Sequence, residues 1–132
     1  MNIAADLELA EGYCRFGPRG AVSLPEAVEM VTHAIAYCRD QKISKLLVNV
    51  ARLEHSTPTH VDRFLMAEEW AREAQGTVTV AIVARPEHID PGKFGVKAAS
   101  GFGLRADVFT SEREALEWLL RERQTDGRPA GP

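Results

Sequence analysis

The 132-residue sequence lacks long apolar runs, secretory features and any recognised catalytic signature. A helix that spans a bilayer needs about 18 or more consecutive apolar residues, and no segment approaches that length. The opening segment MNIAADLELAEG contains acidic residues but no basic stretch, which argues against a signal peptide. We therefore expect a cytoplasmic protein without stable membrane insertion.

Cysteine is also scarce, and the basic residues are scattered rather than clustered. Cys14 and Cys38 are the only cysteines and form no CxxC pair, and two thiols in a cytoplasmic protein are usually free and buried. The sequence leaves open whether the fold brings them together. The 16 basic residues against 19 acidic residues give a net charge of −3, and they form no stripe that could neutralise phosphates. We expect no nucleic-acid partner.

Patterns that would indicate catalysis or metal binding are missing as well. The sequence has no G-x-S-x-G elbow, and the glycines between residues 92 and 103 match neither the phosphate-loop nor the dinucleotide-binding pattern. His55 and His60 are five residues apart, whereas two metal ligands on one helical face are three or four apart. An enzymatic interpretation would need one of these histidines beside a carboxylate in a cleft. We expect no enzyme activity, no cofactor and no metal site.

The apolar residues that are present repeat with helical and strand spacing. Short apolar runs predict strands at 3–9, 13–16, 45–50, 77–84 and 106–109. Helical periodicity predicts helices at 24–38, 61–74 and 91–102, and a last helix that ends near residue 120. Capping boxes at Ser23 with Glu26, and at Thr110-Ser111 with Glu114, predict the starts of the first and last helices.

The predicted order of elements is β-β-α-β-α-β-α-β-α. Alternation of this kind favours an α/β fold with a mostly parallel central sheet, an antiparallel edge strand and helices that cover the sheet. We expect one domain over residues 1–123. The segment 124–132 has no apolar content to bury and is predicted to be a disordered tail.

Three passages resemble the STAS domain family, which includes bacterial anti-sigma-factor antagonists and the cytoplasmic tails of sulfate transporters. KLLVNVARLEHSTPTHVDRFL (45–65) is similar to the family's strand, loop and helix; TVTVAIVA (77–84) is similar to its next strand; LRADVFTSEREALEWLL (104–120) is similar to its last strand and helix. The chain most resembles an antagonist-like branch that is related to the CRAL-TRIO lipid-exchange fold. The resemblance implies a STAS-like regulatory module that binds a protein partner or a second copy of itself.

Regulatory members of that family carry a phosphorylated serine in a D-S-[ST]-G motif at the start of the second helix. The residues of this chain that align with the motif are 57–60, where the acid, the serine and the glycine are all absent. Ser56, Thr57 and Thr59 are neighbouring hydroxyls that could replace the serine as a phosphoacceptor or bind an anion. Plain capping is an alternative explanation, because Thr57 followed by Pro58 is typical of a helix cap and a first helical residue.

The second predicted helix has a small-residue face and an opposite, mixed face. Helical spacing predicts that its buried face consists of Phe64, Ala67, Ala71 and Ala74. A candidate surface for a partner or a homodimer then consists of His60, Asp62, Leu65, Met66, Glu69 and Trp70. An adjoining loop or helix that covers these apolar side chains is the alternative.

The third predicted helix contains glycines that weaken it. Phe94, Ala98 and Phe102 at four-residue spacing predict its buried face, while Gly95 and Gly101 would permit close packing. The same five residues would form the pocket and gate in a second hypothesis. In that hypothesis the protein is a small-molecule or lipid carrier with an apolar pocket beneath a mobile third helix.

Overall fold

Strands and helices alternate through residues 3–122, the part of the chain that the computed structural model describes. The strands are β1 (Leu7–Ala10), β2 (Tyr13–Phe16), β3 (Gly20–Ala21), β4 (Lys45–Asn49), β5 (Leu53–Glu54), β6 (Thr79–Val83) and β7 (Ala106–Phe109). The helices are α1 (Leu24–Asp40), α2 (His60–Ala74), α3 (Phe94–Gly101) and α4 (Glu112–Arg121). Within residues 3–122, no helix has the length and apolar content to cross a membrane. The predicted tail at 124–132 lies outside the described residues.

The main sheet has five strands in the order β1-β2-β4-β6-β7. β1 pairs antiparallel with β2, and the other neighbours pair in parallel. This arrangement confirms the predicted α/β fold with an antiparallel edge strand. The central strands are apolar in consecutive positions because helices cover both faces of the sheet.

The two faces of the sheet carry different helices. On one face α1, α2 and α3 pack on the large core that contains Phe16, Leu46 and Val80. On the other face α4 packs alone on a smaller core around Leu47 and Ala81. The α2 and α3 helices are therefore neighbours on the face that also carries α1. The candidate site lies between and around α2 and α3.

The first helix, α1, and the last helix, α4, begin at the side-chain caps that the sequence predicts. Glu26 N donates to Ser23 Oγ at 3.2 Å, and Ser23 N donates to the Glu26 carboxylate at 3.0 Å. Glu114 N likewise donates to Ser111 Oγ at 3.2 Å. Each bond satisfies a backbone N–H that has no partner within its helix.

The structure differs from the prediction at the start of the first strand, at the start of the third helix and in one additional strand pair. Residues Ala4–Asp6 form a 3-10 turn rather than the first part of a strand, since alanine and aspartate have low strand propensity. The third helix begins at Phe94 rather than at residue 91, because Lys93 adopts a left-handed conformation with φ of 51°. Lys93 is the N-cap and makes no side-chain cap bond, but Asp90 Oδ2 accepts a hydrogen bond from Phe94 N at 2.9 Å. The short parallel pair β3–β5 was outside the prediction, since two-residue strands carry no periodicity.

Cys14 and Cys38 are both free and buried, as predicted. The fold also brings the two thiols into hydrogen-bond contact between β2 and α1. The pKa of Cys38 is raised because its thiol donates to Cys14 and is buried. Because both side chains are fully buried, the pair belongs to the core.

Candidate functional site

The α2 helix begins two residues later than the cap predicted at Thr57. Thr59 is the N-cap: Asp62 N donates to Thr59 Oγ1 at 3.1 Å, and Thr59 N donates to Asp62 Oδ2 at 2.8 Å. The predicted Thr57-Pro58 start is wrong because Thr59 has a carboxylate three residues later, whereas Thr57 has His60 at that position. Pro58 instead precedes the helix.

Thr59→Ala is expected to lower the free energy of unfolding by about 1 kcal/mol, because the Asp62 N–H loses its capping oxygen. Thr57→Ala is the matched control and is expected to change that free energy by less than about 0.5 kcal/mol. Urea denaturation of both variants measures the difference. Equal losses in the two variants, or a larger loss in Thr57→Ala, would place the cap at Thr57 after all.

The hydroxyls of Ser56 and Thr57 are exposed in the loop before α2. Within the described residues neither hydroxyl makes a hydrogen bond, although the Ser56 carbonyl lies 2.7 Å from His55 Nδ1. Thr59 differs, since its hydroxyl caps the helix. Ser56 and Thr57 are therefore the two hydroxyls that a modifying enzyme could reach without breaking a cap, and their role as phosphoacceptors stays a prediction.

The inward and outward faces of α2 differ from the sequence prediction at three positions. Trp70 is only 8% exposed and donates from Nε1 to the Val28 carbonyl of α1 at 3.3 Å. Met66 is half-buried in the same core. Phe64, predicted to be buried, is 43% exposed. Because α2 packs against α1 as well as the sheet, its buried stripe extends to Trp70, which is therefore not part of a partner surface, whereas half-buried Met66 lies at the edge of that stripe.

The α3 helix is also rotated relative to its prediction. Phe94 and Phe102 were expected to be buried, yet they are 36% and 39% exposed, and Ala99 is the buried residue. A Cβ atom on Gly95 would lie 3.5 Å from Arg63 Cβ, so Gly95 does mark the close approach of α3 to α2. Gly101 has no neighbour within 4 Å of such an atom and plays no such role. The four-residue spacing of the aromatics therefore marks the outer face of the helix.

An apolar surface results where α2 and α3 lie side by side. We call it the α2–α3 outer surface and define it by His60, Val61, Phe64, Leu65, Phe94 and Phe102. The rings are in contact across the two helices: His60 stacks on Phe94 at 4.8 Å between centroids, and Phe64 meets Phe102 edge-on at 5.3 Å. Val61 and Leu65 are 68% and 55% exposed. The surface is continuous, and its rings are already ordered against each other.

His60 also contacts a carboxylate. His60 Nε2 lies 3.2 Å from Asp90 Oδ1, and the His60 side chain is 67% exposed. The Phe94 N–H bond, followed by the His60 contact, keeps the pKa of Asp90 below its usual value. His60 is not among the residues that line the cavity beneath α2 and α3, although its partner Asp90 is. Among residues 3–122, no three His, Cys, Asp or Glu side chains are placed to hold a metal ion.

A cavity of about 130 Å³ lies on the inner side of the same two helices, between them, α1 and the sheet. Its wall is mostly apolar, and the side chains that close it come from α1, α2, α3 and three strands. They include Val28, Val31, Val48, Met66, Trp70, Ile82, Val96, Ala99 and Val108. Of the third-helix residues that the sequence predicted to line such a pocket, Gly95 does so.

The polar side chains of the cavity gather at one end, near the starts of α2 and α3. The rings of His55 and His88 are 4.7 Å apart, and Arg63 Nη2 donates to the His88 carbonyl at 3.1 Å. Burial, with a smaller contribution from His55, lowers the pKa of His88. Asp90 and Lys93 complete this end. The cavity thus has a long apolar wall and one end with polar side chains, which we call its mouth.

A separate polar cluster joins β2, β4 and α4 on the opposite face of the sheet. Arg15 donates from Nε and Nη2 to the two carboxylate oxygens of Glu112, both at 2.7 Å, and Asn49 Nδ2 donates to the same carboxylate at 2.8 Å. These bonds lower the pKa of Glu112 to about 2. A Cβ on Gly17 would come within 2.7 Å of Arg15 Nη1, so a larger residue there would displace the guanidinium that Glu112 binds. The sequence prediction missed this cluster because Arg15 and Glu112 are 97 residues apart.

Comparison with known proteins identifies the fold. No protein-family model matches the sequence, and no curated protein matches it. The structure of the anti-sigma factor antagonist SpoIIAA in its unphosphorylated form matches with a TM-score of 0.50, at 16% identity over 88% of this chain and 97% of that one. SpoIIAA, described as a Bacillus cell fate determinant, in its phosphorylated form gives a TM-score of 0.46, at 19% identity over 85% of this chain and 96% of that one. The chain has a STAS fold.

Proposed function

We propose that this protein is a non-enzymatic, cytoplasmic regulatory module that binds a protein partner through the α2–α3 outer surface. The observation that carries the proposal is the continuous apolar character of that surface. Contiguous exposed apolar patches on soluble domains mark interaction sites, and aromatic side chains are enriched in interfaces. SpoIIAA, which shares the fold, is an anti-sigma factor antagonist, and a regulatory role is consistent with that likeness.

Order within the surface favours tight binding. Phe64 and Phe102 are held edge-to-face, and His60 is held between Phe94 and Asp90. Side chains that are ordered before binding lose less entropy when the partner arrives. Glu69 and Asp62 were also predicted to belong to the partner surface. Glu69 is exposed on α2 and remains a candidate rim residue, while Asp62 acts mainly as the capping partner of Thr59.

Modification of the adjoining loop would regulate this binding. A phosphate on Ser56 or Thr57 adds about 1.5 to 2 negative charges close to the start of α2. Those charges would attract a basic partner surface and repel an acidic one, so phosphomimetic Ser56→Asp and Thr57→Asp variants should change partner affinity. Unchanged affinity in both variants would remove the modulation from the proposal.

Leu65→Glu is expected to abolish partner capture, because it places a charge at the centre of an apolar contact. The matched control is Leu120→Glu, since Leu120 is 48% exposed on α4, on the opposite face of the sheet. Quantitative affinity purification should find proteins that wild type and Leu120→Glu retain and Leu65→Glu loses. Equal capture by all three would overturn the proposal. A dimeric wild type that becomes monomeric only with Leu65→Glu, with no differential protein, would instead identify a second copy as the occupant.

The cavity supports a second candidate function, the binding of a small apolar molecule. Its volume of about 130 Å³ is close to that of an engineered apolar cavity of about 150 Å³ that binds benzene. A small molecule fits this volume better than a lipid with long acyl chains. This function requires that a neutral apolar probe such as 1-octanol bind to the purified protein. It also requires that Ala99→Leu, which fills the cavity, weaken that binding.

A further inference from the structure

We propose that the cavity beneath α2 and α3 takes a small monocarboxylate with an apolar body of about six to eight carbon atoms, and that Arg63 binds its carboxylate. This inference rests on the second proposed function, the binding of a small molecule in the cavity. It adds the charge of the ligand, its orientation and the residue that selects it.

The apolar wall limits the size of the ligand body. Trp70 and Val31 are almost fully buried where they close the cavity, and Val48 is fully buried on the sheet. No polar group of these side chains points inward to satisfy a second polar atom, because the Trp70 N–H is already bound to Val28. The cavity volume is close to that of an engineered apolar cavity that binds benzene, which favours a small apolar body of about six to eight carbon atoms.

Among the described residues, Arg63 is the cation at the mouth of the cavity that forms no direct ion pair, although Asp90 lies near enough to interact with its charge. Its side chain lines the cavity, and its guanidinium donates through Nη2 to the His88 carbonyl. Within residues 3–122 no carboxylate lies within ion-pair distance of it, whereas Arg15 and Arg39 each have one at 2.7 Å. A guanidinium carries five donors in a planar fork that matches a carboxylate. Arg63 therefore has donors to spare at the mouth of an apolar cavity.

The other charges at the mouth favour a head group with one negative charge. Lys93 Nζ is 2.8 Å from Asp107, so its charge is largely compensated. Asp90 also lines the mouth and stays ionised, because its bonds to Phe94 N–H and His60 lower its pKa. A dianionic phosphate would be repelled by Asp90 more strongly than a monocarboxylate. A neutral head group would leave the Arg63 donors without a charged acceptor.

The position of Arg63 on α2 is fixed by packing. A Cβ on Gly95 would lie 3.5 Å from Arg63 Cβ and 3.9 Å from Arg63 Cγ, so the stem of the arginine rests on the backbone of α3. A methionine at position 63 would keep the stem contact and remove the charge, which makes Arg63→Met the informative variant.

The test is a calorimetric or NMR titration of the purified full-length protein with octanoate, 1-octanol and octyl phosphate. Wild type is expected to bind octanoate saturably and at least about tenfold more tightly than 1-octanol, since a hydrogen bond to a charged group is worth about that factor or more. Octanoate should also bind more tightly than octyl phosphate, because Asp90 repels the second negative charge of the phosphate. Arg63→Met is expected to lose at least about tenfold in octanoate affinity and to keep its 1-octanol affinity. Arg72→Met, a change of an exposed arginine on the same helix, should behave as wild type.

The outcomes separate this inference from the function on which it rests. One outcome is that 1-octanol binds to wild type but not to Ala99→Leu, that octanoate binds no more tightly than 1-octanol, and that Arg63→Met has no effect on either affinity. In that case the cavity holds small molecules, but the carboxylate assignment is wrong. Tighter binding of octyl phosphate than of octanoate would also overturn it. If none of the three probes binds wild type at about 1 mM, both the inference and the second function fail. Ala99→Leu retains Arg63, so it tests occupancy even where Arg63→Met does not fold.

Discussion

Trp70→Ala is expected to lower the free energy of unfolding by about 3–5 kcal/mol, the range found when a buried aromatic residue is truncated. Trp70 is 8% exposed, packs in the main core and donates its indole N–H to Val28. The substitution removes those contacts, leaves the Val28 carbonyl without this donor and enlarges a cavity that already exists. Urea denaturation monitored by far-ultraviolet circular dichroism measures the loss.

Leu65→Ala is the matched control on the same helix. Leu65 is 55% exposed, so its truncation should change the free energy of unfolding by less than about 0.5 kcal/mol. The comparison separates the two faces of α2 directly. A small loss in Trp70→Ala together with a large loss in Leu65→Ala would mean that α2 is rotated, and that the sequence-based assignment of Trp70 to the partner surface was correct.

Glu112→Gln is expected to lower the free energy of unfolding at neutral pH by about 1–2 kcal/mol. The glutamine keeps the shape of the side chain but loses the charge that holds Arg15 through two bonds and accepts from Asn49. The pKa of Glu112 is about 2 in the folded protein against 4.5 ordinarily. Each unit corresponds to about 1.4 kcal/mol, but the side chain is 39% exposed, and solvent screening reduces the contribution.

The pH dependence of stability follows from the same shift. Because the folded pKa is lowered, the unfolded state binds the proton more readily, and the contribution of Glu112 is complete above about pH 4.5. It is lost progressively as the pH falls from there to about 2. Wild type should therefore lose more stability across this range than Glu112→Gln. The measurement is a series of urea denaturation curves at several pH values.

Glu117→Gln is the control for this prediction. Glu117 lies on the same helix and pairs with Arg113 at 3.8 Å, but both side chains are well exposed. Such a pair contributes little to stability, so this variant should follow the wild-type pH profile. If Glu112→Gln also follows the wild-type profile, the Arg15–Glu112 pair carries no net stability and the account of that cluster is wrong.

The order of elements could be predicted from the sequence because local signals agree with the fold. The Ser23–Glu26 capping box and the apolar repeat that includes Val31 and Ile35 predict α1 without knowledge of its neighbours. The branched residues of β6 likewise predict a central strand. Such signals lie within a few residues of each other, so one sequence is enough to read them.

The orientation of α2 and α3 could not be predicted in the same way. Apolar residues surround much of α2, and Trp70 is buried because α1 lies beside it, which is a fact about tertiary packing. The periodicity of α3 indicates one apolar face at Phe94 and Phe102. That face does not pack on the sheet; it contacts Phe64 and His60 of α2 at the protein surface. Periodicity identifies an apolar face; only the neighbours of a helix determine whether that face is buried.

We propose two sites on α2 and α3: a small-molecule cavity on the inner side and a partner surface on the outer side. Hydrogen–deuterium exchange of the protein alone and with the captured partner tests the outer site most directly. Slower exchange is expected in peptides that cover residues 60–65 and 94–102, with no change in α4 at Glu112–Arg121. Protection confined to α4 or to the β1 edge, with α2 and α3 unchanged, would contradict this proposal.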